Sequence, residues 1–145
     1  MKALRTWVLL ADARRAHVMS YDIPSKRLVP VEGAEWTAEP PAEYSDEAGV
    51  MPSRTGSGRA SISRPDPALQ AEVSFAKYLV SQLNAARTKA RFDKLIVVAA
   101  PHMLGVLRAH MTPELQALIG AELDKDLTQS DHDKLMRSLA DVFPV

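Results

Sequence analysis

The stretch Lys94-Leu95-Ile96-Val97-Val98-Ala99-Ala100 constrains this chain more than any other. From Leu95 onward it is continuously apolar and rich in β-branched residues, so it has no polar face to offer solvent. A strand covered on both faces has this pattern, and such strands belong to parallel sheets with helices on either side. A second short run, residues 5–11 (Arg5-Thr6-Trp7-Val8-Leu9-Leu10-Ala11), predicts another buried strand. The expectation is an α/β fold.

The rest of the chain supplies the other elements. Residues 15–21 alternate, with Ala16 and Val18 facing one way and His17 and Met19 the other; Asp12-Ala13-Arg14 makes the hairpin turn. Residues 27–34 predict a third strand, at an edge because Pro30 cannot donate to a ladder. Asp66-Pro67 is an N-cap followed by a first-turn proline. The helix it opens runs to about Thr88 on a stripe of Leu69, Val73, Ala76, Val80 and Leu83, widened by Phe75, Leu79 and Ala86. Pro101 opens a helix to His110, and Thr112-Pro113 a short one that Gly120 stops. A last edge strand is expected over 121–127, and a final helix begins at Ser130 and Asp133, carrying Leu135, Leu139, Val142 and Phe143. The order β-β-β-loop-α-β-α-β-α, with right-handed crossovers, is that of a single-domain ribonuclease H-like fold over 1–145. It predicts a mixed five-stranded sheet in the order 3-2-1-4-5 with helices packed on it, in three layers.

Composition removes several function classes. The chain has 145 residues, with 18 basic side chains balancing 18 acidic ones, so nucleic acid is not bound by bulk charge and no DNA partner is expected. Cysteine is absent, which excludes disulfides, a thiol nucleophile and thiolate-held metal. No apolar run approaches the roughly 20 residues of a membrane helix. Lys2 and Arg5 before Trp7–Ala11 imitate a signal peptide, but the apolar stretch is too short for one. The expectation is a cytoplasmic protein without membrane insertion.

Residues 37–67 form a long Pro/Gly/Arg-rich loop without hydrophobic periodicity, and loops of this length inside a domain tend to carry function. Arg54, Gly56, Gly58, Arg59 and Arg64 lie in it. Glycines allow close backbone approach to a ligand, and arginines offer forked donors to phosphate. Residues 46–91 carry seven basic and four acidic side chains, and residues 92–145 carry five and eight, so the neutral chain is polarised.

Open α/β sheets bind ligands at the carboxyl ends of their strands. There the sequence places an edge cluster of Asp12, Arg15, His102, Asp126 and Thr128. Each has a plainer reading. Asp12 shapes the hairpin turn and clasps Arg15, His102 caps a helix or lies on the surface, and Asp126 and Thr128 cap the last helix. His17, His110 and His132 are given no role. A two-metal nuclease needs converging carboxylates. Asp12 and Glu72 are available, but strand four contributes none and Asp93 stands at its wrong end. Histidine spacing does not suit zinc, and there is no Walker or Rossmann motif. No metal or cofactor is expected.

Four motifs carry a family resemblance: Ala11-Asp12-x-x-Arg15-Ala16; Phe75-Ala76 with Leu79 and Leu83; Phe92-Asp93-x-Leu95-x-Val97-Val98-Ala99-x-Pro101-x-x-Leu104-Gly105-x-Leu107-Arg108; and Lys125-Asp126-Leu127-Thr128. Together they resemble the bacterial host attachment protein family. The resemblance implies kinship with the middle domain of archaeo-eukaryotic peptide-chain release factors, whose Gly-Gly-Gln loop precedes a long helix. Here the corresponding loop reads Gly56-Ser57-Gly58-Arg59 and has no glutamine, so release-type hydrolysis is not expected. The expected function is a non-catalytic binding domain touching ribosome or tRNA through Arg54, Gly56, Gly58, Arg59 and Arg64. The alternatives are a small hydrolase using Asp12 and His102 as acid–base partners, or an interaction protein acting indirectly in attachment to host cells. A lightly protected edge strand leaves a homodimer open.

Overall fold

The computed structural model describes residues 5–22, 24–38, 66–140 and 142. Five strands form one mixed sheet: β1 (Thr6–Ala11), β2 (Arg15–Asp22), β3 (Arg27–Thr37), β4 (Lys94–Ala99) and β5 (Ile119–Leu123). Their spatial order is β3-β2-β1-β4-β5, as expected. β1 lies antiparallel to β2 and parallel to β4, with Leu9 opposite Val18 on one side and Val97 on the other. The helices are α1 (Pro67–Thr88), α2 (Pro101–His110), α3 (Pro113–Gln116) and α4 (His132–Leu139).

Strand alternation divides the core into two layers. Trp7, Leu9, Ala11, Leu95, Val97 and Ala99 meet Phe75, Leu79 and Leu83 of α1 and Met103 and Leu107 of α2. Val8, Leu10, Ile96 and Val98 point to the opposite face, where Leu135 and Leu139 of α4 and Leu127 cover them. The central strands are therefore buried on both sides, which is why Leu95–Ala100 carries no polar residue. This three-layer arrangement is consistent with the ribonuclease H-like expectation.

Several boundaries differ from the sequence reading. β3 continues to Thr37, past 34, because Ala34 and Trp36 still pack on the α1 side of the core. The strand absorbs a register shift: His17 stands opposite Glu35, yet Met19 stands opposite Pro30. The intervening β3 residues include Gly33 at φ +80°, a left-handed conformation that suits glycine. Gly120 does not stop a helix. It lies inside β5, where a Cβ would meet the Lys94 side chain at 2.9 Å, so the missing side chain makes room for the lysine stem. Because β5 ends at Leu123, Asp124 and Asp126 follow the strand and do not belong to it.

The buried face of α1 is the expected stripe from Phe75 onward and differs only in its first turns. Leu69 is exposed and Val73 only partly covered, while Glu72, Phe75, Ala76, Leu79, Val80, Leu83 and Ala86 face inward. The N-cap at Asp66 is as expected, its side chain accepting from the Ala68 amide at 2.9 Å. The last helix is capped by Asp131, which accepts from the Lys134 amide, one residue beyond the expected start at Ser130. Phe143 lies outside the described residues, as do 39–65, and Val142 packs partly on the α4 layer.

Candidate functional site at the carboxyl rim of the sheet

The parallel strands set the rim. Ala11 and Ala99 are register partners, and the Ala100 amide donates to the Ala11 carbonyl at 3.2 Å. Asp12 and His102 therefore leave the sheet from neighbouring strand ends. β3 runs antiparallel to β2, so its Thr37 end reaches the same rim, and the Ala38 amide donates to the Arg14 carbonyl at 2.7 Å.

Asp12 is mainly a turn-former. Its Oδ1 accepts from the amides of Arg14 and Arg15, both at 2.8 Å, and the Asp12 amide donates to the Arg15 carbonyl at 2.9 Å. The outer oxygen does more. Oδ2 lies 3.1 Å from the Thr128 hydroxyl and 3.7 Å from Arg15 Nε. Thr128 comes from the β5–α4 connection, held down by buried Leu127 beside it. Its hydroxyl is also 2.7 Å from Asp126 Oδ1, which accepts from the Thr128 amide at 3.2 Å as well. One hydroxyl hydrogen thus faces two carboxylates, and Arg15 offsets part of their charge. The expected last-helix cap is corrected here: Thr128 bonds both Asp126 and Asp12, and Asp131 caps the helix.

His102 is not paired with Asp12; among the described residues no hydrogen bond or ion pair joins them. Its Nδ1 lies 3.0 Å from Glu72 Oε1 of α1. The carboxylate is nearly buried, whereas the imidazole is largely exposed at the second position of α2. Of the two plainer readings, His102 makes no helix cap but does lie on the surface. Sequence reading considered Glu72 only as a metal ligand. A buried glutamate on an otherwise apolar helix face was the available signal, because a carboxylate in such a place needs a partner.

A second feature adjoins the cluster. On the α4 side of the sheet a groove of about 860 Å³ opens over β2 and β3, bounded by Arg14, Arg15, His17, Glu35, Thr128 and Gln129 among others. Ala16, Val18, Ala34 and Trp36, which pack in or against the core of the opposite face, also border the groove. Burial pushes the His17 imidazole below its ordinary value of 6.5, and the Glu35 carboxylate opposes that shift. The sequence reading gave His17 no role.

Arg54, Gly56, Gly58, Arg59 and Arg64 lie outside the described residues. Among the described residues no three His, Asp or Glu side chains gather to hold a metal ion. No described helix is long and apolar enough to cross a membrane.

The motifs that resembled one family in sequence coincide with these structural positions: Asp12 and Arg15 at the hairpin, Leu95–Ala99 as the central strand, Asp126 and Thr128 at the rim. Residues 7–139 match the family described as "Protein required for attachment to host cells". The chain belongs to that family. All five rim residues of this host attachment protein fall within the matched range. An uncharacterised protein of Rickettsia prowazekii (strain Madrid E) is 32% identical over 66 residues, a stretch covering 44% of this chain and 44% of the relative. The match to this curated relative thus spans less than half of its length.

Proposed function

We propose that this host attachment protein is a cytoplasmic, non-catalytic binding domain, acting as one unit over 1–145, that contacts ribosomal RNA or tRNA. The contact would run through the segment bearing Arg54, Gly56, Gly58, Arg59 and Arg64. One observation carries the reading: both described flanks of that segment are fixed at the carboxyl rim. β3 delivers it at Ala38, bonded to the Arg14 carbonyl, and α1 takes it back at the Asp66 cap. α1 runs back along the sheet to β4, so its N-terminal end stands at the strands' carboxyl ends beside Glu72 and His102. Arginines offer forked donors to phosphates, and Arg14 and Arg15 of the hairpin stand at the same rim as the two flanks. Kinship with the release-factor middle domain has the same layout in view, a loop feeding a long helix. An attachment phenotype would follow indirectly from such a role. The test is co-sedimentation with ribosomes at low salt. Arg54, Arg59 and Arg64 changed together to alanine should abolish it; retention equal to the parent protein would reject the reading.

A second reading has its own observation, the Glu72–His102 pair. A buried carboxylate that orients an exposed imidazole is a general-base arrangement. A hydrolase would then use Glu72 behind His102, in place of the Asp12–His102 pairing. Turnover of p-nitrophenyl acetate or phosphate that vanishes in His102→Asn would support it. No turnover by the parent protein, or turnover that survives the substitution, would dismiss it.

A further inference from the structure

The groove over β2 and β3 shares Arg14 and Arg15 with the RNA reading and adds a titratable pair, His17 and Glu35, that the RNA reading does not use. Alternation along β2 puts Arg15 and His17 on one face, and the shifted register brings Glu35 of β3 opposite His17. The β5–α4 connection adds Thr128 and Gln129, both neutral. The charged residues lining the groove are Arg14, Arg15 and Glu35, with the Asp12 and Asp126 carboxylates adjoining it at Arg15 and Thr128. Arg15 is half exposed, and its described ion pair is the loose one to Asp12 through Nε at 3.7 Å. The terminal nitrogens of the fork remain available to an oxyanion.

We propose that this groove is a binding site for a phosphate monoester, with Arg15 gripping the phosphate and His17 bridging it to Glu35. The inference concerns a small ligand and stands apart from the RNA reading. A dianionic phosphate beside Glu35 would be repelled unless a proton lay between them, and His17 is placed to hold that proton. A phosphate monoester has its second pKa near 6, so it exchanges a proton readily with an imidazole. A carboxylate or a phosphodiester stays anionic throughout that range and has no proton to share. His17, kept neutral by burial, therefore charges when the ligand arrives, and binding takes up a proton.

Titration of the full chain followed by NMR tests this, with phenyl phosphate, dimethyl phosphate and acetate as probes. Phenyl phosphate should saturably shift the His17 imidazole and Thr128 amide signals. It should raise the His17 titration midpoint and bind severalfold tighter near pH 6 than near pH 8. Arg15→Ala should weaken it by about tenfold, the worth of a charge-assisted hydrogen bond. Arg15→Lys, which keeps the charge and loses the fork, should weaken it less and covers the case in which the alanine variant fails to fold. His17→Gln should bind more weakly than the parent near pH 6 and lose most of the preference for pH 6 over pH 8. Equal binding of dimethyl phosphate or acetate, an unmoved His17 midpoint at saturation, or unchanged affinity in both Arg15 variants would each overturn the proposal.

Discussion

Every residue of β1 is buried, as is every residue of β4 from Leu95 to Ala99. In β2 and β3 burial is intermittent, leaving Val29 half exposed and His17, Glu35 and Thr37 bordering an open groove. The inner strands have helices on both faces and keep one register with each other, β4 shifting only against the edge strand β5, between Leu95 and Ile96. The outer pair has a covered face, a partly open face and a shifted register. Apart from Thr6 at the start of β1, the inner strands bury only apolar side chains from Trp7 to Ala11 and from Leu95 to Ala99, so titratable chemistry collects on the outer pair and at the rim where strands end. The inner pair supplies stability and placement.

Substitutions that test this contrast differ widely in expected cost. Leu9→Ala, in the fully buried centre of β1, should destabilise by about 2–5 kcal/mol, through lost transfer energy and the cavity left behind. Val29→Thr on the outer strand should stay within about 0.5 kcal/mol, as surface changes do. Denaturant unfolding of both variants checks the pair, and equal costs would break the division into inner and outer strands. Asp12→Ala should cost about 1–3 kcal/mol, since two amides and the Thr128 hydroxyl lose an acceptor. The same unfolding curves measure it; a neutral result would mean that water replaces the turn. Gly33→Ala should cost about 1 kcal/mol because of the positive φ, although a Cβ there meets nothing within 4 Å.

The smallest expected effect is in pH dependence. The His17 pKa is lowered in the folded protein, so the unfolded chain binds more protons around and below pH 6.5. That contribution to stability is full above this range and shrinks as the pH falls through it. His17→Gln should therefore flatten the fall of melting temperature on acidification relative to the parent. Parallel curves for the two proteins would mean that His17 is no more buried than in the unfolded chain.

The same contrast explains what could be read from the sequence. The inner strands announce themselves because two-sided burial forbids polar residues, so Leu95–Ala100 and Trp7–Ala11 fix the sheet order. Pro30 marks an edge for an equally local reason. The Asp12 turn and the Asp66 cap are bonds within a few residues and were legible. Glu72 and His102 lie 30 residues apart, and nothing in either neighbourhood pairs them. The His17–Glu35 juxtaposition depends on a shifted register, which strict alternation conceals. Gly120 looked like a helix stop because its reason, the Lys94 stem beside it, lies on another strand.

β1 takes its two partners from very different distances along the chain. Ala11 meets Ala16 five residues later, across the Asp12 turn, while Thr6 meets Lys94 eighty-eight residues later. The hairpin can therefore form by local closure, but the centre of the sheet waits for a distant segment to return, a step whose entropy cost grows only slowly with the length of intervening chain. Between β3 and α1 the chain can gain or lose residues at little thermodynamic expense, because the strand pairing on either side does not change with the length of that excursion. A lineage could thus re-size the segment between Ala38 and Asp66 and leave the order in which the sheet assembles untouched.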